Sequence, residues 1–344
     1  MRRILSRLSG GSFIILWRAG NRSGIGSFLS LEGLSAGGYG SQEILALPCV
    51  IILFECNAVM EHHQRRLGVH TSIAGGVHHS VERANRLGCS TMQIFSHNPR
   101  QWFVSGIPEE EVSQFKKLRS LHSIDPVFVH TSYLINLCAV SQDIFEKSLQ
   151  LLTREMELAD ALNADYVILH TGSASQESGD NARKKAIKAL KTIIGIGTWN
   201  SKLLLENTAG ERGDISSQIK DLTEIIQGTR SNSIGGVCLD TCHAFAAGYN
   251  LLTEEGLSEF TREIEHYLGT DAVKLIHLND SKRSYGSKVD RHEHIGKGYI
   301  GEEGLRRFVT HPAFGPIPLI LETPKKSEMD DQRNLRTVRR FLMA

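Results

Sequence analysis

In PVFVH, residues 126–130, a proline is followed by three apolar residues, two of them β-branched, and then by a histidine. The pattern returns in YVILH, residues 166–170. Continuous apolar runs this short suit strands buried on both faces. The closing histidine stands where a turn former is usual. Working outward, the same pattern appears as RLGVH (66–70), TMQIF (91–95), LLLEN (203–207), GVCLD (236–240), KLIHLND (274–280) and PLILET (318–323). That makes eight runs.

Helical spacing fills the intervals. Residues 77–87 are amphipathic and end at Gly88, suited to a helix C-terminus. Residues 109–121 open on acids, which a helix N-terminus favours. Residues 145–162, 182–194, 215–226 and 254–268 follow, with a short helix over 303–308. Eight strand–helix units predict a single-domain α/β fold, a (β/α)8 TIM barrel, which takes roughly 250 residues. A doubly wound open sheet is the alternative. The 344 residues thus hold one barrel, 66–344, and an N-terminal extension, 1–65.

The extension differs in composition. Its first acidic residue is Glu32, while Arg2, Arg3, Arg7, Arg18 and Arg22 lie among Ser and Gly. The plainest reading is a disordered or misassigned segment ahead of a start at Met60. Mitochondrial targeting by residues 1–31 is the alternative. The apolar run 44–54 contains Pro48 and is too short to span a bilayer. Six cysteines, none in a C-x-x-C pair, indicate neither a disulfide framework nor a Cys-rich zinc ribbon. A reduced setting, cytoplasmic and nucleoid-associated in the bacterial manner, is expected. Net charge is +1, so no global basic signature marks a nucleic-acid binder.

Metal-capable side chains close most of the strands: His70, His130, His170, Glu206, Asp240, His277 and Glu322. One such residue is ordinary. Seven on one face converge at the C-terminal mouth, where barrel enzymes keep their chemistry. Carboxylates gathered there unpaired are costly, and multivalent cations resolve the conflict. Asp240 with His243 and Asp290 with His292 are two further pairs at short spacing. The donors are N and O, which suits Zn²⁺ best, with Mn²⁺ or Fe²⁺ as alternatives. Cys242 reads as packing.

Several stretches resemble the endonuclease IV family of apurinic/apyrimidinic endonucleases: VHTSYLINL (129–137), LLLENTAG (203–210), GVCLDTCHAFAAGY (236–249), HLNDSKRSYGSKVDRHEHIGKGYIG (277–301) and PLILET (318–323). The resemblance covers about residues 66–325. It implies three zinc ions per chain, with Mn²⁺ as an alternative at one site. His130, His170 and Glu206 match the ligands of the first. Glu206 bridges to a second, completed by Asp240, His277 and Glu322. His243, Asp290 and His292 match those of the third. His70 matches a position that supports ligands or substrate. One departure is visible: the family often has H-P-G-S-H after the fourth strand, and here residues 170–174 read HTGSA.

The implied activity is hydrolysis of the phosphodiester 5′ to an abasic site, leaving a 3′-hydroxyl and a 5′-deoxyribose phosphate, with trimming of blocked 3′ ends. Glu206 is the expected catalytic residue, positioning the attacking oxygen. The partner is double-stranded DNA containing abasic sites or blocked 3′ ends, met by a monomer. Lys282, Arg283 and Arg291, interleaved with ligands, are expected phosphate contacts. Asn98, Arg100, Tyr133 and Leu134 rim the same mouth. In the family, the residues matching Arg100 and Tyr133 enter the minor groove at the lesion. The G-x-G-x-x-G over 296–301 follows a loop rather than a strand, and reads as a turn, not a dinucleotide site. A metal-dependent sugar isomerase or epimerase on a similar barrel is the competing reading; a non-catalytic, metal-bearing DNA-binding protein is a third.

Overall fold

The computed structural model describes residues 65–174 and 179–343, and two short strands, Leu5–Arg7 and Phe13–Ile15, paired antiparallel with each other. The targeting reading of 1–31 and the start at Met60 otherwise lie outside the described residues. The chain divides into two units, Met1–Val59 and Met60–Ala344.

Eight parallel strands form the core of the second unit: β1 (Leu67–Val69), β2 (Met92–Phe95), β3 (Val127–His130), β4 (Tyr166–Leu169), β5 (Lys202–Glu206), β6 (Ile234–Asp240), β7 (Val273–His277) and β8 (Leu319–Leu321). Each predicted run overlaps one of them, with β5, β6 and β7 beginning one or two residues before the expected start. The sheet runs from β1 through β8, β7, β6, β5, β4 and β3 to β2. A parallel bridge between His70 and Gln93, with Ser90 N donating to Leu67 O at 3.0 Å, joins its two ends. The open-sheet alternative is thereby set aside in favour of the barrel.

Helices separate the strands: α1 (His78–Arg86), α2 (Glu109–Leu121), α3 (Gln142–Ala161), α4 (Gly179–Ile196), α5 (Ile219–Thr229), α7 (Glu254–Tyr267) and α8 (Gly301–Thr310). The structure adds two helices to those expected, α6 (Thr241–Ala247) directly after β6 and α9 (Glu328–Met343) after β8. Local chemistry sets their ends. The Ser141 side chain caps α3 and Thr253 Oγ1 accepts from Gly256 N at 3.1 Å to cap α7.

Side chains alternate across each strand, so positions two apart share a face. Phe128, Ile168, Leu204, Cys238, Leu275 and Ile320 pack together inside the barrel. Their neighbours Val129, Val167, Leu205, Leu239, Ile276 and Leu321 pack outward with the helices. Two residues beyond each inward side chain stand His130, His170, Glu206, Asp240, His277 and Glu322. Strand period alone therefore aims all six into the mouth.

Candidate metal centre

Register decides which of these meet. Leu169 pairs with Leu205, which sets His170 beside Glu206, and Asp240 pairs directly with His277. Glu206 is fully buried and central. Its Oε2 lies 3.3 Å from His130 Nε2 and 2.9 Å from His170 Nε2. Its Oε1 lies 2.9 Å from His277 Nδ1 and 3.4 Å from His243 Nδ1. His277 Nδ1 is also 3.0 Å from Glu322 Oε2.

α6 and the loop after β7 bring the rest. Asp240 is both strand end and helix cap, its Oδ1 accepting from His243 N at 2.8 Å. His243 Nε2 faces Asp290 Oδ2 at 3.2 Å, and His292 Nε2 faces Asp290 Oδ1 at 3.4 Å. Potential ligand atoms within 4.8 Å of one another group as His130, His170 and Glu206; as Glu206, Asp240, His277 and Glu322; and as His243, Asp290 and His292. Glu206 is common to the first two groups. Thiols also come near: Cys238 beside Glu206 and His277, and Cys242 beside Asp240 and His292. Burial pushes both thiols up to about 12, so they stay protonated in the metal-free chain.

The donor set fits cations. The buried Nε2 atoms of His170, His243 and His292 have no hydrogen-bond partner, which is costly unless something else occupies their lone pairs. His130 Nδ1 faces Thr131 O at 2.8 Å, His243 Nδ1 faces Asn207 O at 2.9 Å and His292 Nδ1 faces Glu322 O at 3.0 Å. A carbonyl at Nδ1 places the proton there and leaves Nε2 bare toward the centre. His277 is reversed: Nδ1 faces the carboxylates, and Nε2 donates to Gln93 Oε1 at 2.7 Å.

Electrostatics agree. Burial pushes the Glu206 carboxyl up, but the nearby His277 and His170 imidazoles and the hydrogen bond to His130 hold it well below the usual range. Burial likewise opposes ionisation of Glu322, and His277 with His70 overrides it. For His243 and His277 burial favours the neutral ring, yet Asp240 and Asp290 beside His243, and Cys238, Glu322 and Glu206 beside His277, raise both well above 6.5. The metal-free cluster is thus a set of ion pairs that cations would replace.

Three polar residues escape a reading of strand ends. Gln93, fully buried on β2, bonds to His277 and donates Nε2 to Glu322 Oε1 at 2.6 Å. Its signal was one amide within TMQIF. Asn279 Nδ2 donates to Asp240 Oδ2 at 2.6 Å, and Asn207 Nδ2 to Asp240 O at 3.1 Å. His70 stands 3.1 Å from Gln93 Nε2 and 3.7 Å from Glu322 Oε1, outside every cluster.

The loop after β7 carries Asp290 and His292, and Asp280 anchors it. The carboxylate accepts from Gly298 N at 2.8 Å and Ile300 N at 3.0 Å, with Gly301 N at 3.3 Å. The G-x-G-x-x-G stretch is thus an anion nest for an internal carboxylate. A Cβ on Gly298 would sit 2.2 Å from Ser281 O. In the loop after β4, where residues 170–174 read HTGSA, Asn136 acts as a brace: its Oδ1 accepts from Ser173 N at 3.2 Å and its Nδ2 donates to Ser173 O at 2.9 Å.

The mouth is a cavity of about 430 Å³, lined by ligand candidates together with His70, Phe95, Ser132 and Tyr133. Tyr133 is 61% exposed and meets the Phe95 ring edge-on at 6.0 Å. Asn98 and Arg100 are exposed on the adjoining loop, and Leu134 is half-buried. Lys282, Arg283 and Arg291 are exposed on the loop that carries Asp290, with Lys282 N donating to Arg291 O at 2.8 Å. A larger cavity, about 780 Å³, is lined by Arg65, Leu67 and Ser90 near the strand starts and holds none of the ligand clusters.

A family profile described as a xylose isomerase-like TIM barrel matches residues 81–344. "Probable endonuclease 4" of Halothermothrix orenii is 41% identical over 265 residues, covering 77% of this chain and 95% of that protein. The crystal structure of endonuclease IV from Thermus thermophilus superposes with a TM-score of 0.71 at 37% identity, covering 81% of this chain and 99% of that one. A D-tagatose 3-epimerase-like protein has a TM-score of 0.63 at 19% identity, a likeness of fold alone. The barrel is therefore shared with sugar epimerases, but the sequence similarity runs elsewhere: this chain is an enzyme of the endonuclease IV family.

Proposed function

We propose that the protein is a zinc-dependent DNA-repair endonuclease that hydrolyses the phosphodiester 5′ to an abasic site, leaving a 3′-hydroxyl and a 5′-deoxyribose phosphate. The observation that carries this is the sorting of nine side chains into three ligand groups, two of which share Glu206. In this reading His130, His170 and Glu206 hold one zinc. Glu206, Asp240, His277 and Glu322 hold a second, and His243, Asp290 and His292 a third. Zinc bound there supplies Lewis acidity, making water more acidic and neutralising the phosphate and the leaving oxygen.

The chain's own residues supply the order. Glu206, kept ionised and locked on both oxygens, is the catalytic carboxylate that orients the attacking water. Gln93 and the backbone carbonyls fix the imidazoles, so little reorganisation accompanies reaction. Lys282, Arg283 and Arg291 bind phosphates, which carries affinity without a globally basic chain. Arg100 and Tyr133, flanked by Asn98 and Leu134, enter the minor groove and hold the abasic nucleotide extruded. Extrusion is easiest where the base is already lost, and this supplies lesion selectivity. Blocked 3′ ends are trimmed by the same hydrolysis.

The test is incubation of the purified chain with an abasic-site duplex, with and without a chelator, alongside metal analysis. Incision that the chelator stops and zinc restores, at about three ions per chain, is the expected result. No incision by metal-loaded protein overturns the reading.

A further inference from the structure

α3 lies in the outer ring, and its inward stripe is Ser148, Leu151, Leu152, Met156 and Ala159, all buried. Glu155 falls on the same stripe and is 1% exposed. A buried carboxylate on an apolar helix face is costly unless it is paired. Glu155 Oε1 lies 2.6 Å from His97 Nε2 and accepts from Ser132 N at 2.9 Å. His97 immediately precedes Asn98, Pro99 and Arg100; Ser132 immediately precedes Tyr133 and Leu134. Ser132 Oγ then donates to Pro99 O at 2.7 Å and accepts from Leu134 N at 3.1 Å. One carboxylate oxygen therefore ties the loop after β2 to the loop after β3, and a hydroxyl repeats the tie one step further out.

We propose that Glu155 is a positioning residue for lesion recognition, fixing the loops that carry Arg100 and Tyr133 at one spacing on the DNA. This rests on the reading of those two residues as DNA contacts. Neither His97 nor Glu155 belongs to any ligand group, so the metal centre does not account for the pair. Burial pushes the Glu155 carboxyl up despite its partners, so charge is disfavoured at this position. A buried carboxyl–imidazole pair stabilises less than apolar packing would. What this one supplies is a fixed distance between two loop tips that are themselves exposed.

Two substrates separate positioning from mere structure. The abasic-site duplex needs both the loops and the metals. Bis(p-nitrophenyl) phosphate, a small activated diester, needs only the metals. Glu155→Ala is expected to raise KM for the duplex by about 10- to 100-fold, the scale of an ångström-sized misplacement. Its rate on the small diester and its zinc content should stay at the unsubstituted level. Glu155→Gln, which keeps an acceptor for Ser132 N, should recover most of the loss. In a Tyr133→Ala background the effect of Glu155→Ala should shrink, because the two act through one contact. An unchanged duplex KM overturns the proposal, as does an equal loss on both substrates. If Glu155→Ala does not fold, Ser132→Ala cuts the outer tie, and the same two substrates decide. Failure of the unsubstituted protein to cut the abasic duplex is a different result, and it removes the DNA reading itself.

Discussion

Gln93 Oε1 stands 2.7 Å from His277 Nε2, on the side of the ring away from the carboxylates. The amide's other end donates to Glu322. One neutral side chain thus fixes two charged ones, and it decides that His277 presents Nδ1 to the centre. Gln93→Leu preserves bulk and removes both bonds. Loss of such an orienting partner typically lowers metal affinity by about 10- to 100-fold. The expected outcome is a chain that incises only with excess zinc, checked by titration against a chromophoric chelator. Undiminished affinity contradicts the role given to Gln93.

Asp280 has the corresponding role for the loop. It is fully buried, and its oxygens are satisfied by backbone N–H groups drawn from both ends of the segment 281–301. Asp280→Ala strands those donors, at a cost on the order of 3 kcal/mol. The thermal midpoint should fall, and metal content should drop by about one ion as Asp290 and His292 lose their frame. Gly298→Ala should act in the same direction, since its Cβ has no room beside Ser281 O.

Much of this was legible in the sequence because strand period does most of the work. The eight apolar runs locate the strands, and a polar residue two positions beyond an inward side chain faces the mouth, as at Leu204 and Glu206. What stayed hidden is tertiary. Asp280 lies 18 residues from Gly298 in sequence, so nothing local shows that the glycine-rich turn serves it. Gln93 resembles an ordinary interruption of a strand. α6 has only 7 residues, too few to show a periodicity, and begins on a residue that is also a ligand candidate. α9 conceals its apolar stripe of Leu335, Val338 and Phe341 among charges, and it buries Asp330, Asp331 and Asn334 as well.

The metal-free protein should depend on pH in a way the loaded protein does not. His243 and His277 have raised values in the folded chain. Their contribution to stability is fully present below 6.5 and is lost as pH rises through the raised values. Glu206 and Glu322 are depressed, so theirs is present above 4.5 and is lost as pH falls through the lowered values. Stability of the metal-free chain should therefore peak between 4.5 and 6.5 and decline on the alkaline side. Bound cations hold the same imidazoles neutral and should flatten that decline. Thermal unfolding across pH, before and after zinc is added, measures both curves. A metal-free chain that gains stability as pH rises above 6.5 would rule out the ion-paired cluster.

Salt dependence distinguishes the two kinds of DNA contact. Arg283 is exposed on the loop that carries Asp290 and His292 and is not itself a ligand candidate. As a phosphate contact it adds affinity by releasing counterions. Arg283→Ala should weaken binding to lesion-bearing and intact duplexes alike, and should reduce the slope of log affinity against log salt by about 1. Tyr133 is uncharged, and its ring is presented to solvent against Phe95. Tyr133→Ala should leave the salt slope and the metal content unchanged, and should weaken binding and incision only where a nucleotide is extruded. Binding isotherms on both duplexes at several salt concentrations read the two effects separately. If Tyr133→Ala weakens intact duplex as much as abasic duplex, the ring is a general contact and lesion selectivity must reside in the shape of the cavity.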